Sequence, residues 1–289
     1  MNVSKIIACD IKEGVIKNKR YIVVPVLCLF QCLYAQLNIN MYKEYHEIYR
    51  KTSLLELLVE IFHGCDPIGE NPNPDIKIII PYLWFAIFSF AVFLTFDYMH
   101  NDLTQFGIQI LTRTKKRHAW WLSKCIWCYV SSLWFYILII VSTLVFCFIN
   151  GYSAFNYSNV ETINILADRS VIYEFVGISE MNFLNALSIV FLPLIVICTL
   201  NMIQMLLCLF VKPMYSYLII IGLIVVGMIS DSPLAFTRLG MVTFNTTYFK
   251  TAYHEITGTW ICLVINIICI IIGMLYFKRY DIIPDKDKE

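Results

Sequence analysis

Charged residues are scarce in this chain. Asp, Glu, Lys and Arg occupy 15% of its 289 positions, against roughly 25% in an ordinary soluble domain, so water cannot be its main solvent. It lacks a GxxxxGK[ST] sequence, and with it any P-loop to cradle ATP. It also lacks HExxH and paired glutamates suited to an intramembrane metalloprotease. The one GxSx, Gly151 to Ala154, has no well-placed base, which argues against a serine hydrolase. A net charge of only +1 leaves no basic surface for phosphates and excludes nucleic acid as a partner. A cleavable signal peptide is not expected, because residues 1–20 are polar and amphipathic with no small-residue cleavage site after an apolar core.

Cysteine is plentiful, with eleven residues, but the pattern is not that of a disulfide framework. Eight of them, from Cys28 to Cys269, lie in apolar runs, where cysteine acts as a small hydrophobe. Only Cys65 falls in a segment placed outside, and it has no mate there. Cys125 and Cys128 form a CxxC with no second ligand pair, so no metal site is expected.

What the chain has instead is apolar length. Its mean hydropathy is +0.68. Six charge-free stretches reach at least 18 residues: 21–42, 78–96, 125–160, 181–211, 213–230 and 256–277. A helix needs about 20 residues to cross a hydrocarbon core of about 30 Å. Trimmed of polar ends, the spans are 22–38, 78–96, 122–149, 186–211, 214–230 and 259–277, the fifth being at the short end. Lys and Arg orient them. With the amino terminus inside, inner segments hold fourteen basic residues and the longer outer segments seven. Lys124, just inside the third span, is expected to snorkel back to the interface. Tyr21, Trp120, Trp121, Tyr215, Trp260 and Tyr276 stand at span ends as interface aromatics. The fold class is therefore an all-α integral membrane protein with six transmembrane helices and both termini cytoplasmic. Residues 1–20 form an in-plane helix, 21–280 the membrane domain and 281–289 a cytoplasmic tail.

The polar segments carry the functional signals. In residues 1–20, Val3, Ile7, Ile11 and Val15 repeat every four positions, opposite Lys5, Asp10, Lys12, Glu13 and Lys17. That pattern predicts a helix lying along the inner leaflet. The loop from Asp97 to Lys124 has an apolar centre, Leu103 to Leu111, too short to span, followed by basic residues and two tryptophans. An exposed apolar helix on such a loop needs a partner to cover it, which suggests docking of a soluble cytoplasmic subunit. Outside, Ser53 and Glu56 form a capping box before an apolar run that Gly64 ends, predicting a short amphipathic helix on the outer surface. No charged group or histidine lies at a span midplane, contrary to what ion-coupled transport requires. Asn201 and Gln204 share one face of the fourth span, after Pro193, and either bond between helices or line a translocation path. Asn156-Tyr-Ser and Asn245-Thr-Thr fit the glycosylation triplet, a common chance match.

The loop reads D-L-x-x-F-G-x-Q-x-L-x-R-[ST]-x-x-R-x-x-W-W-x-S-K, with Asp102, Leu103, Phe106, Gly107, Gln109, Leu111, Arg113, Thr114, Arg117, Trp120, Trp121, Ser123 and Lys124 in those places. Together with the in-plane helix, the six spans and the closing Tyr276-Phe277-Lys278-Arg279-Tyr280-Asp281, it resembles permease subunits of bacterial type-2 ABC exporters, of the kind linked to antimicrobial-peptide export and self-protection. The resemblance covers the whole chain as topology, and only the loop is specific. It implies a coupling helix seated in a groove of a separate cytoplasmic ABC ATPase. ATP and Mg would then be bound by that subunit, and this chain would bind no cofactor. Asp102, Phe106, Gly107, Ile108, Gln109, Leu111, Arg113, Lys115, Lys116 and Arg117 would form the coupling element. It also implies a second permease copy or a related permease, a membrane-lipid surround, and an amphipathic or peptide-like substrate moved outward. The other reading is a non-transport membrane protein, such as an immunity or sensor subunit that binds a peptide or lipid.

Overall fold

The computed structural model describes residues 3–65, 81–104, 117–153, 160–167, 183–230, 235–244 and 255–279. Among these the regular elements are helical: α1 (Val3–Ile11), α2 (Val23–Tyr45), α3 (Leu54–Ile61), α4 (Tyr82–Thr95), α5 (Tyr98–Thr104), α6 (Arg117–Ile149), α7 (Val160–Ala167), α8 (Phe183–Leu207), α9 (Pro213–Ile229) and α10 (Glu255–Arg279). Five helical stretches are long and apolar enough to cross a membrane: Lys19–Tyr45, Tyr82–Leu103, His118–Ile149, Ala186–Leu207 and Ile256–Lys278. The sixth expected span is a shorter apolar helix of 17 residues, α9. Pro213 opens it at the first helical position, where the missing N–H costs nothing.

α6 and α8 form the centre of the bundle. α6 touches α1, α2, α4, α8 and α10, and α8 also packs on α4, α9 and α10. The helices run alternately between two ends. At one end α1 meets the first turns of α6 and, through Asp10 and Tyr98, α5. There Trp120 and Trp121 pack on Phe277, with ring centroids 4.9 and 5.8 Å apart. α9 starts at that end, where Cys208 Sγ contacts both Phe96 O and Ser216 Oγ. It finishes at the other, where Arg238 Nε donates to Gly227 O at 2.8 Å. Around the bundle, Phe30, Leu37, Met41, Phe148, Leu218, Ile267 and Leu275 project outward, each at least 54% exposed. An apolar surface of that extent has no stable place in water. The chain is a multi-pass membrane protein.

Polar side chains knit the bundle. Thr95 donates to Asn201 Oδ1 at 3.0 Å, and Asn201 Nδ2 donates to Ser132 Oγ at 2.8 Å, which joins α4, α8 and α6. Tyr129 donates to Asn266, which donates to Thr199, joining α6, α10 and α8. Pro193 lies inside α8 and leaves the Ile189 carbonyl without its helical donor. The Tyr136 hydroxyl reaches the neighbouring Val190 carbonyl.

The far end departs from the expectation of a surface helix. Every residue of α3 from Leu55 to Ile61 is buried, including Glu56 at 0% and Glu60 at 3% exposure. The Ser53 cap holds, its hydroxyl accepting from Glu56 N. The burial is possible because α2 supplies partners. Lys43 pairs with Glu56 at 2.8 Å, and Asn38 donates to Glu60 at 2.8 Å. Those contacts also carry α2 to Tyr45, beyond the polar residues that close the first span at 38 in the sequence reading. Cys65 is buried there and contacts Met228 O and Met241 Sδ, without a disulfide.

Candidate functional site

Lys124 is one of two charged residues at 0% exposure among the described residues, the other being Glu56 of α3. Lys124 sits two turns into α6, on the face turned into the bundle, away from the exposed Leu122 and Ile126. Its Nζ is 2.5 Å from Asp10 Oδ1 on α1 and 2.7 Å from Asp102 Oδ2 on α5. Asp10 is held further by Ser123 Oγ at 2.5 Å on Oδ2 and by the Tyr98 hydroxyl at 3.2 Å on Oδ1. The rings of Tyr98 and Trp120 lie 5.0 and 5.1 Å from the ammonium. One cation thus joins three helices that are remote in sequence. Removing one partner of such a buried group strands the others, at roughly 3–5 kcal/mol.

Two further contacts bring α1 to this position. Beyond Ile11 the helix widens to a π-turn, Lys12–Ile16, containing Gly14. A Cβ at Gly14 would lie 2.2 Å from Trp127 Nε1 and 2.7 Å from the Tyr98 ring, so only glycine permits this approach. Tyr98 and Trp127 stack with centroids 4.0 Å apart and form the floor on which the turn rests. Four residues further along the chain, Arg20 grips Asp97 with two parallel bonds of 2.7 and 2.6 Å, and its guanidinium lies over Phe93 and Phe96. The segment leading into the loop after α5 is therefore tied to α1 by Tyr98, to the chain just beyond α1 by Asp97 and to α6 by Asp102, and the segment leaving it is tied to α1 by Ser123 and Lys124.

Several expectations are revised by this geometry. Asp10, assigned to the solvent side of α1, is 3% exposed and faces inward with Ile6 and Gly14. The buried face follows the 6-10-14 row, whereas Ile16 is 74% exposed. Lys124 does not snorkel; two carboxylates within reach are better partners than a distant headgroup layer. Trp120 and Trp121 are fully buried rather than interfacial, and Trp121 Nε1 donates to Ile270 O at 3.0 Å. Trp260 and Tyr215, at 63% and 60% exposure, remain at the surface.

Of the proposed coupling residues, Asp102 belongs to the cluster around Lys124, and Arg117 opens α6. Phe106, Gly107, Ile108, Gln109, Leu111, Arg113, Lys115 and Lys116 lie outside the described residues. Asn201 takes the interhelical role. Gln204 is 1% exposed, and neither atom of its amide has a hydrogen-bond partner among the described residues. Cys125 and Cys128 are buried and free, and no metal-ligating cluster occurs among the described residues. The sequence reading did not single out Asp10, Tyr98 or Ser123 as a unit with Lys124. The available signal was a lone lysine inside an apolar helix, together with an aspartate in an isoleucine-rich row.

Residues 67–283 match the family described as a protein of unknown function, DUF2705, and the chain belongs to that family. No curated protein and no solved structure is detectably similar to it.

Proposed function

We propose that this chain is the membrane-spanning permease subunit of an ABC exporter. In this reading it crosses the membrane six times, keeps both termini in the cytoplasm, and moves an amphipathic or peptide-like substrate outward. A separate cytoplasmic ATPase supplies ATP and Mg, and a second permease copy or a related permease completes the pathway. The observation that carries the proposal is the buried Asp10–Lys124–Asp102 cluster. It clamps both roots of the loop between α5 and α6 to one rigid base. A soluble motor can move membrane helices only through an element that contacts both, and a loop with fixed roots meets that need. The end-to-end run of α9 supports the sixth crossing, since a helix of its length spans about 25 Å at 1.5 Å per residue. The absence of midplane charges favours an external energy source over ion coupling.

The test is made on the loop itself. Phe106→Ala should weaken docking of the ATPase by about 2 kcal/mol, as for a central aromatic at an interface. Phe106→Asp combined with Ile108→Asp should abolish both co-purification of the ATPase and substrate-stimulated hydrolysis, with membrane insertion intact. Tyr45→Asp, at an exposed position of the opposite end, should leave both unchanged. A loop variant that assembles and hydrolyses ATP normally overturns the permease reading. The alternative, a membrane immunity or sensor protein, draws on the closely packed far end around α3. It predicts that no ATPase accompanies the purified chain.

A further inference from the structure

α1 turns one side to the bundle, through Ile6, Asp10 and Gly14 beyond it. The opposite side carries Lys5, Cys9, Lys12 and Ile16, all exposed and spaced four, three and four positions apart. That spacing draws one line along a helix. The charges on it are of one sign. Of the two acids between Lys5 and Arg20, Asp10 is buried on Lys124, and Glu13 is paired with Lys17 at 2.6 Å. Arg20 is held by Asp97. Lys5, Lys12 and Lys19 are exposed and make no hydrogen bond or ion pair among the described residues. Every unpaired charge on this segment is therefore positive.

The level of these cations in the bundle is fixed by what α1 packs on. Asp10 meets Ser123 and Lys124 of α6, and Gly14 lies against Trp127. The outward face of α6 becomes apolar at the same level, with Leu122 and Ile126 at 37% and 40% exposure. Lys19 opens a short 3₁₀ turn, Lys19–Ile22, that runs straight into α2. There the outward row Ile22, Val26 and Phe30 is 51–70% exposed. The three lysines thus stand where the lipid-facing surface gives way to polar chain, which is the depth of the headgroups. Ile16, at 74% exposure, adds an apolar contact that suits lipid and not water. A soluble acidic partner would match the lysines, but it would have no use for Ile16 or for the adjoining row of α2.

We propose that acidic phospholipid is the ligand of this outer line, and that it holds α1 against the Asp10–Lys124–Asp102 cluster. Lys5, Lys12 and Lys19 take the headgroups while Ile6, Asp10 and Gly14 stay on the bundle, so α1 is clamped between lipid and protein. A zwitterionic headgroup offers each lysine an ammonium beside its phosphate, whereas an acidic one offers net negative charge. The acidic-lipid content of the leaflet then sets how often α1 leaves the cluster. With the orientation proposed above, that leaflet is the inner one. The permease reading is not needed for this.

The test places the full-length chain in nanodiscs of phosphatidylcholine alone, or of an equal mixture with phosphatidylglycerol, and follows hydrogen–deuterium exchange of the α1 amides. A nine-residue helix taken off the bundle does not keep its own hydrogen bonds, so exchange reads release. Each lysine at an anionic surface contributes about a fivefold factor, and three together should slow exchange in the mixture by roughly 10²-fold. Lys5→Gln, Lys12→Gln and Lys19→Gln combined should remove most of that difference. In phosphatidylcholine the triple variant should exchange like the parent, because none of the three lysines has a partner among the described residues. Inorganic phosphate added to phosphatidylcholine discs should not slow exchange. Equal exchange of the parent in the two lipids, or a phosphatidylglycerol effect that survives in the triple variant, overturns the proposal. So does faster exchange of the variant in phosphatidylcholine, which would assign the lysines to the fold, or protection by inorganic phosphate, which would make the ligand a free anion.

Discussion

Lys124→Met is the most informative single change in this protein. Methionine keeps the length and apolar stem of the side chain and deletes only the charge. Asp10 and Asp102, at 5% and 13% side-chain exposure, then face each other without a cation. The loss expected for a buried pair stripped of one partner is about 3–5 kcal/mol. Its first outlet is release of α1, a nine-residue helix that packs chiefly on α6. At about 1.4 kcal/mol per factor of ten, the released population should rise by roughly 10²-fold to roughly 4 × 10³-fold. Ile6, on the inner face of α1, is fully buried, so Ile6→Cys in a Cys9→Ser background reports release through maleimide labelling. Labelling should be slow in the parent and fast with Lys124→Met. The triple neutral variant Asp10→Asn, Lys124→Met, Asp102→Asn should regain most of the protection, because no stranded charge remains. If Lys124→Met leaves the labelling rate unchanged, or if the triple variant is no better protected than the single one, the cluster does not hold α1.

Gly14→Ala should also free α1, since its Cβ meets the Trp127 indole, and should cost on the order of 1–3 kcal/mol in the same labelling assay. Asn201→Leu removes two interhelical bonds and should lower the thermal midpoint, by roughly 0.6–1.7 kcal/mol in free energy. Gln204→Leu should be neutral or stabilising, because a buried amide without partners is replaced by an apolar group; a loss of transport without a loss of stability would assign Gln204 to the pathway. Single cysteines near Glu70 and Asn156 should label from outside and those at Lys116 and Lys286 should not, with outside labelling at Lys116 reversing the proposed orientation.

The membrane class was legible in composition and run length, because a hydrocarbon solvent imposes its requirement on every residue that faces it. Spans appear as charge-free stretches, and five of the six expected spans return as helices long enough to cross. The Ser53 cap was equally legible, since it depends on residues three apart. What contiguity cannot reveal is which polar residues find each other. Asp10 looked solvated because its neighbours in sequence include Lys5, Lys12 and Glu13. It is buried because Lys124, more than a hundred positions away, arrives at the same point when α1 packs on α6. α3 reads as a surface helix from its capping box and short amphipathic run, yet Lys43 and Asn38 of α2 satisfy Glu56 and Glu60 and allow the whole helix to be enclosed. Trp120 and Trp121 looked like interface anchors by position, and Phe277 from the far end of the chain took them inside. Local periodicity and solvent preference act through neighbours in the chain, so the sequence alone determined the helices and their apolar length. The burial of a charge depends on a partner supplied by tertiary packing, and only the folded bundle decided where Asp10, Glu56 and Lys124 would lie.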